Sequence, residues 1–368
     1  ANTAYAKATD VITMNITADE DLTAAPTVFI AGRAATVNDV GGSATQYTAT
    51  LTTNSTDTQG EVAISINFTD LTGNAGDAVI ATTNNSTVTF DRTAPTLSAV
   101  TVTSNNTNTA YAKEGDIVTL SFSSSENVQD DPVVTIDGNV ATVSGGNTTW
   151  TATYTMQNGD TEGETNFTID FVDIAGNNGT QVSALTAGNK IVYDETVPQL
   201  TTVDISSNNS NGSTLAKVGD VITIAITAND ANGIQTPTVT IAGNAASVTG
   251  TNGGSVFSAT YAMESTDNTG ALDFTVDFID MANNAGTQIT APVNDSDGGI
   301  VFDKQAPSFS TITIASNNSN DAALSVVNDV ITLNLTSDED IKTGADPSVT
   351  INGNNASVTR NSSTTFTA

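Results

Sequence analysis

The sequence predicts an all-β chain of tandem sandwich domains strung in a linear rod, and three observations carry that prediction. Thr alternates with Val, Ile and Phe in short runs such as Phe167-Thr168-Ile169-Asp170-Phe171, a pattern that suits half-buried, pleated strands better than helices. Clusters of Asn, Gly, Asp and Ser interrupt these runs at short intervals, as turns do in an all-β fold. The whole pattern also recurs. Phe90-Asp91-Arg92-Thr93-Ala94-Pro95 returns as Tyr193-Asp194-Glu195-Thr196-Val197-Pro198 and as Phe302-Asp303-Lys304-Gln305-Ala306-Pro307, with the prolines 103 (198 − 95) and 109 (307 − 198) residues apart. A period of that length is too long for a solenoid unit and fits one complete domain.

Three further landmarks recur in register. Asp10, Asp116, Asp220 and Asp329 each precede an apolar strand, and strands led by Pro26, Pro132, Pro237 and Pro347 end at Gly32, Gly138, Gly243 and Gly353. Asp70-Leu71-Thr72-Gly73-Asn74 is matched by Asp173-Ile174-Ala175-Gly176-Asn177 and Asp280-Met281-Ala282-Asn283-Asn284. In the second copy the strands are expected at roughly 97–103, 116–123, 132–137, 139–144, 150–156, 165–172 and 189–193, a count that argues for an immunoglobulin-like β-sandwich. Trp150, Tyr154, Phe167 and Phe171 are the natural core fillers. The repeats divide the chain into 1–91, 92–194, 195–303 and 304–368. Ala1 aligns with the loop at 108–111, and Phe366-Thr367-Ala368 aligns with Phe257-Ser258-Ala259. The first and last copies are therefore expected to be incomplete pieces of a longer chain.

Composition narrows the chemistry. The 368 residues hold 9 basic and 40 acidic side chains, a formal net charge of −31, and neither His nor Cys. So acidic a surface repels nucleic acid and anionic lipid and attracts divalent cations. Without Cys there is no disulfide framework or thiol chemistry, and without His the commonest general base and zinc ligand are gone. No apolar run approaches the roughly 18 residues of a membrane span. Hydrophobic residues at 38% still suffice for several small cores, which argues against disorder.

Topology then gathers a subset of the acids. In a sandwich of this kind the loop between the second and third strands, the loop between the last two strands, and the incoming linker all lie at one end. The second repeat places Glu126, Asp173 with Asn177, and Asp91 there; the third places Asp230, Asp280 with Asn284, and Asp194. The fourth offers Glu339 and Asp303, and the first Glu20, Asp70 and Asn74. Carboxylates plus an Asn carbonyl form an oxygen-only cage of the sort calcium accepts, with about 6 to 8 ligands completed by backbone and water. Magnesium demands stricter octahedral geometry, and thiolate- or imidazole-seeking metals find no ligand. Without a cation, two such charges at about 4 Å repel by roughly 4 kcal/mol at an effective dielectric of 20. The competing reading is structural, because Asp before Gly-Asn is a turn signature and Asp readily closes an Asx-turn on its own backbone.

A second acidic set, Asp57, Asp160 and Asp267, precedes Gly60, Gly163 and Gly270 at the opposite end and reads as tight turns, as do the Ser-Asn-Asn tracts at 104–106, 207–209 and 316–318. Paired carboxylates can serve a glycosidase, but these recur in every domain with no cleft-forming insertion. No phosphate loop, nucleophile elbow or basic stripe is present, so no enzyme is expected.

The strings Phe-Asp-x-x-Ala-Pro, Ala216-Lys217-Val218-Gly219-Asp220-Val221-Ile222-Thr223 and Phe171-Val172-Asp173-Ile174-Ala175-Gly176-Asn177 resemble the bacterial Ig-like repeats of giant cell-surface adhesins, most of all the gliding-motility adhesins of Bacteroidota. The resemblance implies a secreted, extracellular location at the cell surface, a stalk of stacked domains, calcium at the junctions, and a role in adhesion or gliding. It implies no particular ligand; the partner would be a surface, a glycan or a cell-envelope component, beside the neighbouring repeats themselves. The third repeat departs from the pattern: Asp230 stands for Glu, Ala231-Asn232-Gly233 lengthens its loop, and Asn283 stands for Gly. A self-assembling filament or surface-layer subunit is the alternative, with a neighbour's strand completing the cut domains. A glycan-binding array is a weaker third, since the one Trp is expected in the core.

Overall fold

A computed structural model describes residues 2–295 and 298–368. All described secondary structure is β. The second repeat shows the full plan. Leu97–Ser104, Ile117–Ser124, Thr149–Thr155 and Thr142–Gly146 pair in that order as one antiparallel sheet, with Phe122 opposite Trp150 and Leu120 opposite Ala152. Asn139–Val140, Val133–Ile136 and Phe167–Asp170 form the facing sheet. Alternation does the sorting: Ile117–Ser124 buries every second residue, so Val118, Leu120 and Phe122 point inward, as a period of two requires.

The third repeat has the same two sheets, and the chain is a tandem of immunoglobulin-like β-sandwich repeats. Each complete repeat has its own core: Val100, Leu120, Phe122, Trp150, Ile169 and Tyr193 belong to one, and Val203, Ile224, Ile226, Phe257, Val276 and Phe302 to the next. The four aromatic residues expected as packing do pack, although Tyr154 lies at the margin with its hydroxyl turned to Asp160.

Two details were not foreseen. The last strand is short, Val192–Tyr193, because it leaves the facing sheet to pair parallel with Tyr111–Ala112 and antiparallel with Gly163–Glu164. Tyr5–Ala6 with Thr89–Phe90 and Leu215–Ala216 with Val301–Phe302 repeat this parallel pairing. The expected strand 139–144 is also two strands, broken at the buried Ala141.

The end repeats differ from the middle ones. In the first, a three-stranded sheet of Val11–Thr17, Gln46–Thr52 and Thr36–Asp39 stands where the others have four strands. In the fourth, Phe366 and Leu335 are buried, but Ile312 and Ile314 are 58% and 66% exposed, whereas their counterparts Val203 and Ile205 are 0% and 1% exposed.

Candidate metal centre

Three local devices bring the acids together. The short last strand holds the linker: the N–H groups of Asp91, Asp194 and Asp303 donate to Ala6, Ala112 and Ala216 carbonyls, each at 2.9 Å. Each linker carboxylate then closes a turn on the residue two further on, accepting from Thr93 N–H at 2.9 Å, Thr196 N–H at 3.1 Å and Gln305 N–H at 2.9 Å. Single β-bridges zip the two remaining loops together, Leu22 to Asp70, Val128 to Asp173 and Ile234 to Asp280. The linker Asp is thus anchored in one repeat while its side chain enters the next.

Carboxylate oxygens of Asp91, Glu126 and Asp173 lie within 4.8 Å of one another, and so do those of Asp194, Asp230 and Asp280. Asp173, Asp194 and Asp280 are 1%, 3% and 0% exposed. Burial raises the pKa of Glu126 first, and Asp91 and Asp173 beside it raise it further. Burial likewise pushes Asp230 and Asp280 up, opposed by the hydrogen bonds each accepts and aided by Asp194. In the fourth repeat desolvation and then Asp303 raise Glu339, so this pair also meets. Neighbouring Asp338 instead accepts the Ser308 N–H at 2.7 Å and hydroxyl at 2.6 Å.

The first repeat isolates what the neighbours do. Asp70 sits on the same loop as Asp280, but Glu20 is exposed and the pair belongs to no cluster of three acids among the described residues. Asp70 is held down at about 2, first by the Asn74 amide and then by the Asn74 and Thr72 bonds. One loop therefore yields opposite shifts, depending on whether other carboxylates and burial face it.

The Asn at the end of each loop is a brace. Asn177 Nδ2 donates to Asp173 at 2.8 Å and to the linker carbonyl of Asp91 at 3.1 Å. Asn284 Nδ2 does the same toward Asp280 at 2.7 Å and Asp194 O at 2.8 Å, and Asn74 reaches Asp70 at 2.7 Å. The Asx-turn reading and the cluster coexist, with the loop acids bonded on both oxygens: Asp173 and Asp280 each accept the Asn N–H on Oδ1 and the Asn amide on Oδ2. Asp230 differs. Its Oδ1 accepts from Asn232 N–H at 2.9 Å, and its Oδ2 is buried with no hydrogen-bond partner. A buried, unpartnered carboxylate oxygen beside two other acids is costly unless a cation compensates it, and an all-oxygen anionic donor set suits a hard divalent ion.

Two contributors were missed in sequence. Asn232, in the lengthened loop, donates its amide to Asp194 Oδ2 at 2.8 Å; the residue pattern marks the longer loop but not this contact. Gly76, Gly179 and Gly286 lie against Phe68, Phe171 and Phe278, where an added Cβ would fall 2.2, 2.2 and 2.1 Å from a ring carbon. Their constant spacing, six residues after Asp70, Asp173 and Asp280, was the available signal. At the opposite end Asp57, Asp160 and Asp267 close turns on Asn54, Gln157 and Glu264 N–H groups at 2.8, 2.7 and 2.7 Å. Asp57 is further held by Arg33 at 2.6 Å, and Asp160 and Asp267 by Tyr154 and Tyr261.

No family model and no curated protein matches the chain. Among solved structures it is similar to one reported as structural insight into host cell surface retention of a 1.5-MDa bacterial ice-binding adhesin, at 18% identity over 82% of this chain and 95% of that one, with a TM-score of 0.45. It is similar also to the mouse nectin-like molecule 4 ectodomain (Ig1–Ig3), at 11% identity over 80% and 97% with a TM-score of 0.28. Fibronectin(III)-like modules of Clostridium thermocellum CbhA match at 15% identity over 53% and 95%, with a TM-score of 0.27.

Proposed function

We propose that this chain is a spacer within a large secreted bacterial surface protein, an adhesin stalk, whose repeat junctions are stiffened by calcium. The supporting observation is the convergence, at two successive junctions, of three carboxylates from three separate segments, one of them belonging to the linker. An ion bound there would be gripped by the linker and by both loops of the following repeat, so it would restrain the one covalent connection between sandwiches. The acids recur at the junctions rather than in one cleft, which favours a structural role over catalysis. With each sandwich spanning about 40 Å, a stiff tandem holds whatever it presents far from the cell. In this reading the chain serves adhesion, and gliding in particular, by reach, and a surface, glycan or envelope component is met elsewhere in the protein.

Removing calcium from the 368-residue chain with a chelator is expected to lower its melting temperature and to shorten its maximum dimension in small-angle scattering, because an ion bound only by the native state stabilises it by mass action. If both stay unchanged under chelation, the calcium reading fails. The self-assembling filament makes a different prediction, a mass in solution that rises with protein concentration.

A further inference from the structure

The carboxylate clusters occupy one end of each repeat, and the other end carries an arrangement the calcium reading does not use. The Ser-Asn-Asn-x-Asn tracts there fold alike. Asn106 N–H donates to Ser104 Oγ at 3.1 Å, Asn108 N–H donates to Asn106 Oδ1 at 2.9 Å, and Asn106 Nδ2 donates to Asp116 Oδ2 at 2.6 Å. Asn209, Asn211 and Asp220 repeat all three bonds, and so do Asn318, Asn320 and Asp329. The same Asp116 oxygen accepts the Lys113 N–H at 2.9 Å, as Asp10 does for Lys7 and Asp220 for Lys217. The second and third repeats thus fix both their asparagines and the base of their lysine with their own bonds.

Between the second and third repeats this face meets the segment 281–283. Asn108 Nδ2 donates to Met281 O at 3.0 Å, Asn106 Nδ2 to Ala282 O at 2.8 Å, and Lys113 Nζ to Asn283 O at 2.6 Å. Three side chains of one repeat therefore take three consecutive main-chain carbonyls of the next. Asn283 answers with its own side chain, donating to Asn106 Oδ1 at 2.5 Å while accepting from Gln235 Nε2 at 2.9 Å. Asn106 and Ala282 are 5% and 0% exposed, so the central bond of the three is shielded from water. At the preceding junction Lys7 Nζ donates to Gly176 O, at the position equivalent to Asn283. Lys217 is exposed, and Val326 occupies the lysine position in the fourth repeat.

We propose that the Asn-x-Asn face with its lysine is a docking socket for the main-chain carbonyls of the next repeat's carboxylate loop, and that Asn283 locks the junction between the second and third repeats by bridging both. This rests on the stalk reading and deepens it, since the gripped loop runs from Asp280 to Asn284. The socket needs no metal. It explains why the third repeat departs from Gly at 283: a side chain there reaches across the junction, and the backbone at φ 67 still accepts it. Recognition of a carbonyl rather than a side chain lets the lysine position serve different loops, as Lys7 on Gly176 and Lys113 on Asn283 show.

The test uses the whole chain, which has no native cysteine, spin-labelled at Thr142→Cys and Ser247→Cys on exposed strands of the second and third repeats. Pulsed electron resonance in chelator is expected to give a narrow distance distribution, widened about twofold by Lys113→Met and by Asn283→Gly, because two sandwiches without a strong interface move freely. Asn283→Gly places glycine where φ is positive, so it keeps the turn. Widths equal to the parent in both variants overturn the socket, and so does a parent distribution already as broad as theirs. Calcium titration of Lys113→Met separates the two readings: an unchanged stoichiometry with a widened distribution supports the socket, whereas zero stoichiometry in the parent sinks the calcium reading alone.

Discussion

The junctions before the second and third repeats use the same three positions and reach similar carboxylate contact by different chains. The first sets Glu126 on a loop that returns to the bridging Val128 two residues later; the second sets Asp230 on a loop that returns to Ile234 four residues later. A side chain shorter by one methylene is offset by a backbone that travels further. The longer loop also brings Asn232 over Asp194. Its linker Asp is buried where Asp91 is half-buried, and its Asp280 is wholly buried. The change of residue is thus compensated within the same cluster, and the compensated site is the deeper one. Depth strengthens both the attraction for a cation and the repulsion without one, because the local dielectric is lower.

The largest difference between the two sites is expected from neutralising the loop acid. Asp280→Asn should weaken calcium at its site by about a hundredfold, roughly 2.7 kcal/mol, since it removes a buried charge whose linker partner Asp194 is buried as well. Asp173→Asn should cost about tenfold at its own, because half-buried Asp91 and Glu126 leave more room for water to substitute. Calorimetric titration of each variant, read as the loss of one of two binding events, measures both. Equal losses would show that depth does not set affinity here.

A smaller effect should come from reach. Glu126→Asp shortens the side chain without the two extra loop residues that the third repeat supplies, and calcium affinity should drop about tenfold, roughly 1.4 kcal/mol. The same titration decides it. An unchanged affinity would mean that the loop at 125–128 adapts and that the longer loop of the third repeat has another purpose.

Most of the fold, and the membership of both clusters, could be read from the sequence for one reason: repetition converts weak local signals into aligned ones. The period locates Asp91, Asp194 and Asp303, and sandwich topology assigns Glu126 with Asp173 and Asp230 with Asp280 to one end. Geometry that depends on a neighbouring element stayed hidden. The parallel pairing of Val192–Tyr193 with Tyr111–Ala112 involves two residues per strand, too few for a periodic signal. Asn283 looked like a departure that weakened the pattern, and only the adjoining repeat shows what it contacts. The asparagine brace was likewise invisible: spacing placed Asn177 beside Asp173, but not the direction in which its amide points.

The smallest effect concerns protons in the metal-free chain. Glu126, Asp230 and Asp280 hold their protons above their ordinary values in the folded state, chiefly through burial and then through their acidic neighbours. Between the ordinary value and the raised one, the folded chain therefore binds more protons than the unfolded chain. Stability falls with rising pH wherever that holds, so the contribution of these groups is full below the ordinary carboxylate range and lost as pH climbs through the raised values. Asp70 has the opposite sign: its contribution is present above 3.8 and lost as pH falls toward about 2. Urea unfolding in chelator, from pH 4 upward, should show a component that declines with pH and disappears in the combined Glu126→Gln, Asp230→Asn and Asp280→Asn variant. Calcium should reverse the slope in the parent, since the ion binds the ionised carboxylates and displaces their protons. A parent and variant with the same pH dependence in chelator would show that these acids do not hold protons against one another, and that the two junctions differ in burial alone.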